Sequence, residues 1–144
     1  MQNSIKLEQK PFLGNFGKHK ITLMQPSYAI LNRQAALEIQ ETVEACLHLN
    51  SLSQPISITI LVDMEYVESL DSDGLVMLLK IFKTAIAHET NLALCSLQPQ
   101  VRLVFEISKM DRTFSIFRDY DALVAHLEMN AELEAYNHKM TSVA

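Results

Sequence analysis

The chain has 144 residues, 49% of them hydrophobic and 20% charged, with 12 Lys and Arg against 17 Asp and Glu for a formal net charge of −5. That balance is the one of an ordinary globular protein, and the length suits a single domain, residues 1–144, able to bury roughly 68–70% of its unfolded surface. It argues against nucleic acid, because the cations are scattered rather than gathered in a stripe, and against membrane insertion, because no apolar run nears ~18 residues. The opening MQNSIKLEQK lacks the apolar core of a signal peptide, so a cytoplasmic location is expected.

In chain order, residues 4–12 (SIKLEQKPF) offer one antiparallel strand, with Gly14 and Gly17 in the turn after it. KITLMQP, residues 20–26, is a short strand closed by proline. From Asn32 the period changes. Ala36, Ile39, Val43, Cys46 and Leu47 recur every three or four residues and predict an amphipathic helix to about Leu49. NSLSQP is a linker, and the β-branched ISITILV, residues 56–62, suits a central strand covered on both faces. A loop to Gly74 leads into a helix over about residues 73–89, with Leu75, Leu78, Leu79, Phe82 and Ile86 as its buried stripe. Lys80, Lys83, Thr84 and His88 form its wet side.

NLALC is the next strand, and Pro99 opens a short third helix with Val101, Val104, Phe105 and Ile107 on its apolar face. RTFSIF is a last, edge strand. Asp119 or Asp121 starts a final helix through Leu123, Val124 and Leu127, which the tail from Ala131 either extends or leaves to fray. Strand and helix thus alternate four times. The expected fold is α/β: a mainly parallel sheet of four to five strands, four helices and right-handed crossovers, with its core at about residues 20–130.

Groupings that carry catalysis are absent from the sequence. The five histidines fall in different elements without ligand spacing and read as solvated, and His88-Glu89 lacks a second histidine four residues on. There is neither a glycine-rich phosphate loop nor a Gly-x-Ser-x-Gly elbow. Cys46 and Cys95 sit in apolar periodic segments, as small core residues of a reduced protein do. No enzymatic activity, cofactor or metal is expected.

The stretch SLDSDGL is the exception to this plainness. It holds Asp71, Ser72, Asp73 and Gly74 in succession, and Gly74 is one of only three glycines in the chain. It lies after the central strand at the mouth of a helix, where open α/β sheets bind ligands and partners. Asp71 or Ser72 suits the N-cap, and Asp73 the positive end of the helix dipole. Gly74 would let another surface approach the backbone closely. Val76 and Met77, in the first turn and off the predicted stripe, form either a half-exposed contact for a partner or a pair packed under a neighbouring loop.

ISITILVDMEYVESLDSDGLVMLLKIFKTA followed by NLALCSLQPQVRLVFEISKMDRTFSIF resembles a STAS domain, the module of anti-sigma-factor antagonists and sulfate transporters. The family's Asp-Ser-Ser/Thr-Gly-Leu reads here Asp71-Ser72-Asp73-Gly74-Leu75. Its Pro-x-Val-x-x-x-Phe/Leu helix and following turn span residues 99–111. The resemblance implies a phosphorylation site at Ser72 and a partner surface of Asp71, Ser72, Asp73, Gly74, Val76 and Met77. It implies a serine-kinase anti-sigma factor as partner and a PP2C-type phosphatase as its counterpart. The alternative is an adaptor subunit of a larger assembly, such as a lipid-transport complex, with no phosphate cycle. Asp73, where the family has Ser or Thr, leans that way. A small-molecule or nucleotide site at the same helix mouth ranks last.

Overall fold

The computed structural model describes residues 4–14, 17–51 and 57–142. Strands β1 (Ile5–Gly14) and β2 (Gly17–Pro26) form an antiparallel hairpin whose last register pair is Gly14 with Gly17. After the two-residue strand β3 (Ile30–Leu31), helix α1 (Arg33–Ser51) begins where Asn32 Oδ1 accepts the Ala35 N–H at 3.0 Å. Then follow β4 (Ser57–Asp63), β5 (Ser69–Leu70), α2 (Ser72–Ala87), β6 (Asn91–Cys95), α3 (Pro99–Ile107), a 3-10 turn (Met110–Arg112), β7 (Ser115–Phe117) and α4 (Tyr120–Ser142). Most of the predicted linker lies outside the described residues.

The main sheet runs β1-β2-β4-β6-β7, parallel except for β1. The expected α/β order and the edge position of the last strand are both found. The pleat sorts the central residues. Ile60, Val62, Leu92 and Leu94 face a core closed by α1, α2 and α3, while Leu61, Ala93 and Cys95 face α4 through Leu123. Ile58 to Val62 are therefore all buried, as a strand covered on both sides requires. Phe105 stands edge-on to Phe114 at 5.5 Å within the larger core.

Three sequence-based expectations are corrected. The buried face of α2 is Gly74, Met77, Leu78, Ile81 and Ala85, while Ile86 is 54% exposed and Leu75, Leu79 and Phe82 are half-buried. The predicted stripe is thus displaced by one residue, or about 100° of helix. The helix is apolar on nearly every side, so periodicity alone does not orient it. In α3, Val101 and Phe105 are buried but Ile107 is exposed at the last turn. The histidines are not all solvated. His19 is half-buried with Nε2 2.8 Å from Thr59 Oγ1, and burial lowers its pKa. His48, His88 and His126 are exposed, and the side chain of His138 lies outside the described ones.

Both cysteines are free and buried, as expected. Among the described residues no helix is long and apolar enough to cross a membrane, and no group of three or more His, Cys, Asp or Glu is placed to hold a metal. Burial pushes the Cys95 thiol up to about 11, opposed by the hydrogen bond from Ser96 and reinforced by the negative field of Asp63, Asp119 and Glu65. In the unfolded chain this thiol ionises near pH 8.5. Between those values the unfolded state has lost a proton that the native state keeps, so stability falls as pH rises. Denaturation at a series of pH values from 8.5 to about 11 should show a decline of up to ~1.4 kcal/mol per pH unit from this group. Cys95→Ala should flatten that decline, and an equal slope in the variant would show that the thiol stays out of it.

Candidate functional site at the mouth of helix α2

The segment between β4 and α2 is held at several points. The N–H of Met64 reaches the Cys95 carbonyl at 2.9 Å, and Asp63 Oδ1 accepts the Glu65 N–H at 3.0 Å. Met64 and Val67 are fully buried anchors. The N–H groups of Glu68 and Ser69 both reach the Ala29 carbonyl, at 2.8 and 3.0 Å. β5 then pairs in parallel with β3, Ile30 with Ser69 and Leu31 with Leu70. From α3, the Gln98 side chain donates to the Glu65 carbonyl at 2.8 Å and that of Gln100 to the Glu68 carbonyl. The loop is a fixed platform.

Asp71 is the N-cap. Its backbone is extended (φ −91°, ψ 174°), its Oδ1 accepts the Gly74 N–H at 2.8 Å, and its carbonyl accepts from Leu75 at 3.0 Å. Of the two candidates for the cap, Asp71 takes the position and Ser72 becomes the first helical residue. Ser72 and Asp73 are both exposed. A carboxylate cap and an acid in the first turn suit the positive end of the helix dipole.

Gly74 serves a different purpose from the expected one. It is buried, and a Cβ built on it would overlap the carbonyl oxygen of Leu31 and come 3.1 Å from Leu70 Cδ1. The close approach that glycine permits is made by the chain's own β3. Leu31 O also accepts the Asp71 N–H at 3.3 Å. The two readings left open for Val76 and Met77 divide between them: Met77 is 8% exposed and part of the larger core, whereas Val76 is 53% exposed. The predicted pair is split because the one-residue rotation of α2 carries Met77 inward.

The surface left at this edge is acidic with apolar patches. Asp71, Ser72 and Asp73 lie on the helix mouth, with Glu65 and Glu68 exposed on the preceding loop. Ile30 and Tyr66, which the sequence reading passed over, are more than half exposed beside them in the chain path. Their signal was available only as a large apolar residue in a loop and another just before the first predicted helix. A cleft of about 260 Å3 lies instead at the opposite end of the sheet, lined by Thr59, Phe82, Asn91, Ser115, Phe117 and His126 among others. A small-molecule site at the helix mouth gains nothing from it.

Comparison with known proteins accords with this geometry. The family model of the STAS domain matches residues 29–123, about two thirds of the chain, and the chain belongs to that family. A search of curated proteins finds no match. Among solved structures, an anti-sigma-factor antagonist (STAS) domain protein from Planctomyces limnophilus has a TM-score of 0.65 at 17% identity, over 88% of this chain and 98% of that one. The Bacillus cell fate determinant SpoIIAA in its phosphorylated form has a TM-score of 0.53 at 17% identity, over 83% and 96%. The murine solute carrier 26 family member A9 anion transporter has a TM-score of 0.59 at 18% identity, over 78% of this chain and 18% of that one. At such identities the likeness is one of fold.

Substitutions separate the two roles in this turn. Gly74→Ala should cost at least the ~1–3 kcal/mol of an overpacked core, since a backbone carbonyl must move. Asp71→Ala should cost about 0.5–2 kcal/mol as a lost cap. Ser72→Ala should leave stability within ~0.5 kcal/mol, as an exposed position with no cap to lose. Urea denaturation of the three variants checks the order.

Proposed function

We propose that this STAS domain is a non-enzymatic partner-switching protein of the anti-sigma-factor antagonist kind, working in the cytoplasm. Its partner is a serine-kinase anti-sigma factor that docks on Asp71, Ser72, Asp73 and Val76, with Ile30 and Tyr66 adding apolar contact. Phosphorylation of Ser72 ends the contact, and a PP2C-type phosphatase restores it. The observation that carries this reading is the position of Ser72: exposed, first in helix α2, and directly after a cap that another residue provides. A serine acting as cap would have its oxygen engaged with the backbone. Here Asp71 leaves it available. The existence of a phosphorylated form of a protein with this fold supports the same reading.

A phosphate on Ser72 would add roughly −1.5 to −2 charges at neutral pH. The fold tolerates it, since anions at a helix N-terminus gain about 0.3–1 kcal/mol. In an interface the balance reverses. An unpaired dianion buried between Asp71 and Asp73 costs on the order of 3–5 kcal/mol, like a broken buried ion pair. That amounts to at least a hundredfold in affinity, at ~1.4 kcal/mol per factor of ten. Asp73 adds a standing charge beside the acceptor, so the partner must bring a cation to that corner. Gly74 and Met77 support the surface from below rather than forming it.

A second reading is an adaptor within a larger assembly. It is favoured by the same fold occurring as a small part of an anion transporter, and by Asp73 in place of a second hydroxyl. The two readings diverge on one residue. Phosphopeptide analysis of the protein purified from its own cells should find phosphate on Ser72. Ser72→Ala should bind the kinase constitutively, and Ser72→Glu at least a hundredfold more weakly. Equal affinity of the two variants by titration, with Ser72 unmodified in every growth condition, would favour the adaptor.

A further inference from the structure

Helix α4 has apolar residues on two opposite sides. Leu123 is buried and Leu127, Ala131 and Ala135 are half-buried, so this side faces the body of the protein, where α4 meets β7 and β1. Met129, Leu133, Tyr136 and Met140 are each more than half exposed. Their spacings of four, three and four keep them in one narrow line on a helix, the a and d pattern of a heptad seam. At about 100° per residue that line lies roughly opposite Leu127, Ala131 and Ala135. Isolated exposed apolar residues are normal, but four in heptad register on one helix are not scatter. The match to the family model stops at residue 123, so the seam lies beyond it.

The charges beside the seam say what covers it. Glu132 and Lys139 are seven residues apart and share one flank, while Asn130 and Asn137, also seven apart, share the other. We propose that the seam is a contact between two copies of this chain, α4 against α4 in antiparallel orientation. A two-fold axis between Leu133 and Tyr136 sets Leu133 against the partner's Tyr136 and Met129 against the partner's Met140, each twice. Glu132 then lies beside the partner's Lys139, again twice, and the asparagines line the other flank. A parallel pair would set Glu132 beside Asn137 and bring no opposite charges into register. The flank is self-complementary only when one copy is reversed.

Four seam residues per copy make a contact at the small end of specific interfaces, so the dimer is weak, with a micromolar dissociation constant. The pairing leaves the proposed switch open. α4 follows β7 and α2 follows β4, so both helices start at the carboxyl end of the parallel strands; α4 extends for about 34 Å at ~1.5 Å per residue, with Leu133, Tyr136 and Met140 in its distal half. A dimer would thus present two copies of Ser72 to the outside.

Sedimentation velocity of the full chain, from low micromolar to about 1 mM, tests this. A monomer–dimer equilibrium is expected. Leu133→Glu should abolish it with an unchanged circular dichroism spectrum, and with an unchanged melting temperature at dilutions where the parent chain is monomeric. Glu132→Lys and Lys139→Glu should each weaken it by roughly tenfold, by setting like charges together. The double exchange should restore it. That restoration reports on orientation and does not depend on any core residue. A monomer throughout the range overturns the proposal and leaves the seam to a different protein. A dimer indifferent to Leu133→Glu, or a double exchange no better than the single ones, overturns it too.

Discussion

The carbonyl of Leu31 is the point on which the candidate site is hung. It accepts the N–H of Asp71 on one side and lies against Gly74 on the other, so the two-residue strand β3 and the first turn of α2 meet backbone to backbone. No side chain fits between them. This contact sets the rotation of α2 and decides that Met77, Leu78 and Ile81 face the core, with Val76 outside. It also fixes Asp71 as the cap, because the residue that β3 holds in extended conformation is the one from which the helix departs. The exposure of Ser72 follows, one residue later.

A helix mouth built this way separates stability from signalling. The cap, the close approach and the buried anchors Met64 and Val67 hold the segment without using the serine. The hydroxyl can change its charge with little effect on the fold, since the unmet N–H groups and the dipole at that end favour negative charge. The consequences of such a change fall on whatever surface is pressed against it. That is the physical content of the partner-switching proposal, and it needs no movement of the backbone. The acidic surroundings set a condition on the partner. A surface that comes close to Asp71 and Asp73 must supply cations or leave water between.

The far half of α4 answers to different rules. Its inner side meets the body of the protein, and its outer side carries the seam of Met129, Leu133, Tyr136 and Met140. A helix with apolar residues on both sides has nothing in its own sequence to say which side is the core. The 4-3-4 spacing becomes informative once the other side is seen to be occupied.

The sequence by itself determined the order of the four helices and of β2, β4, β6 and β7, though not the short β3 and β5, together with the parallel sheet, the doubly covered β4 and the motif's place at a helix mouth. These depend on period, on β-branched runs and on punctuation by Pro, Asn and Asp, all of which are local. The sequence offered a strand before Gly14 and Gly17 without deciding whether it joins the sheet, and it left the extension of the last helix open too. Only the tertiary structure decided the roles within the motif. Gly74 reads in the sequence as an opening toward a partner, yet it is filled by Leu31, forty-odd residues earlier in the chain. Ile86 and Ile107 read as core, and Met77 stays open between exposed and packed, because an apolar helix rotates freely on paper. A close backbone contact between distant segments has no periodic signature, and that contact is what set the face each residue shows.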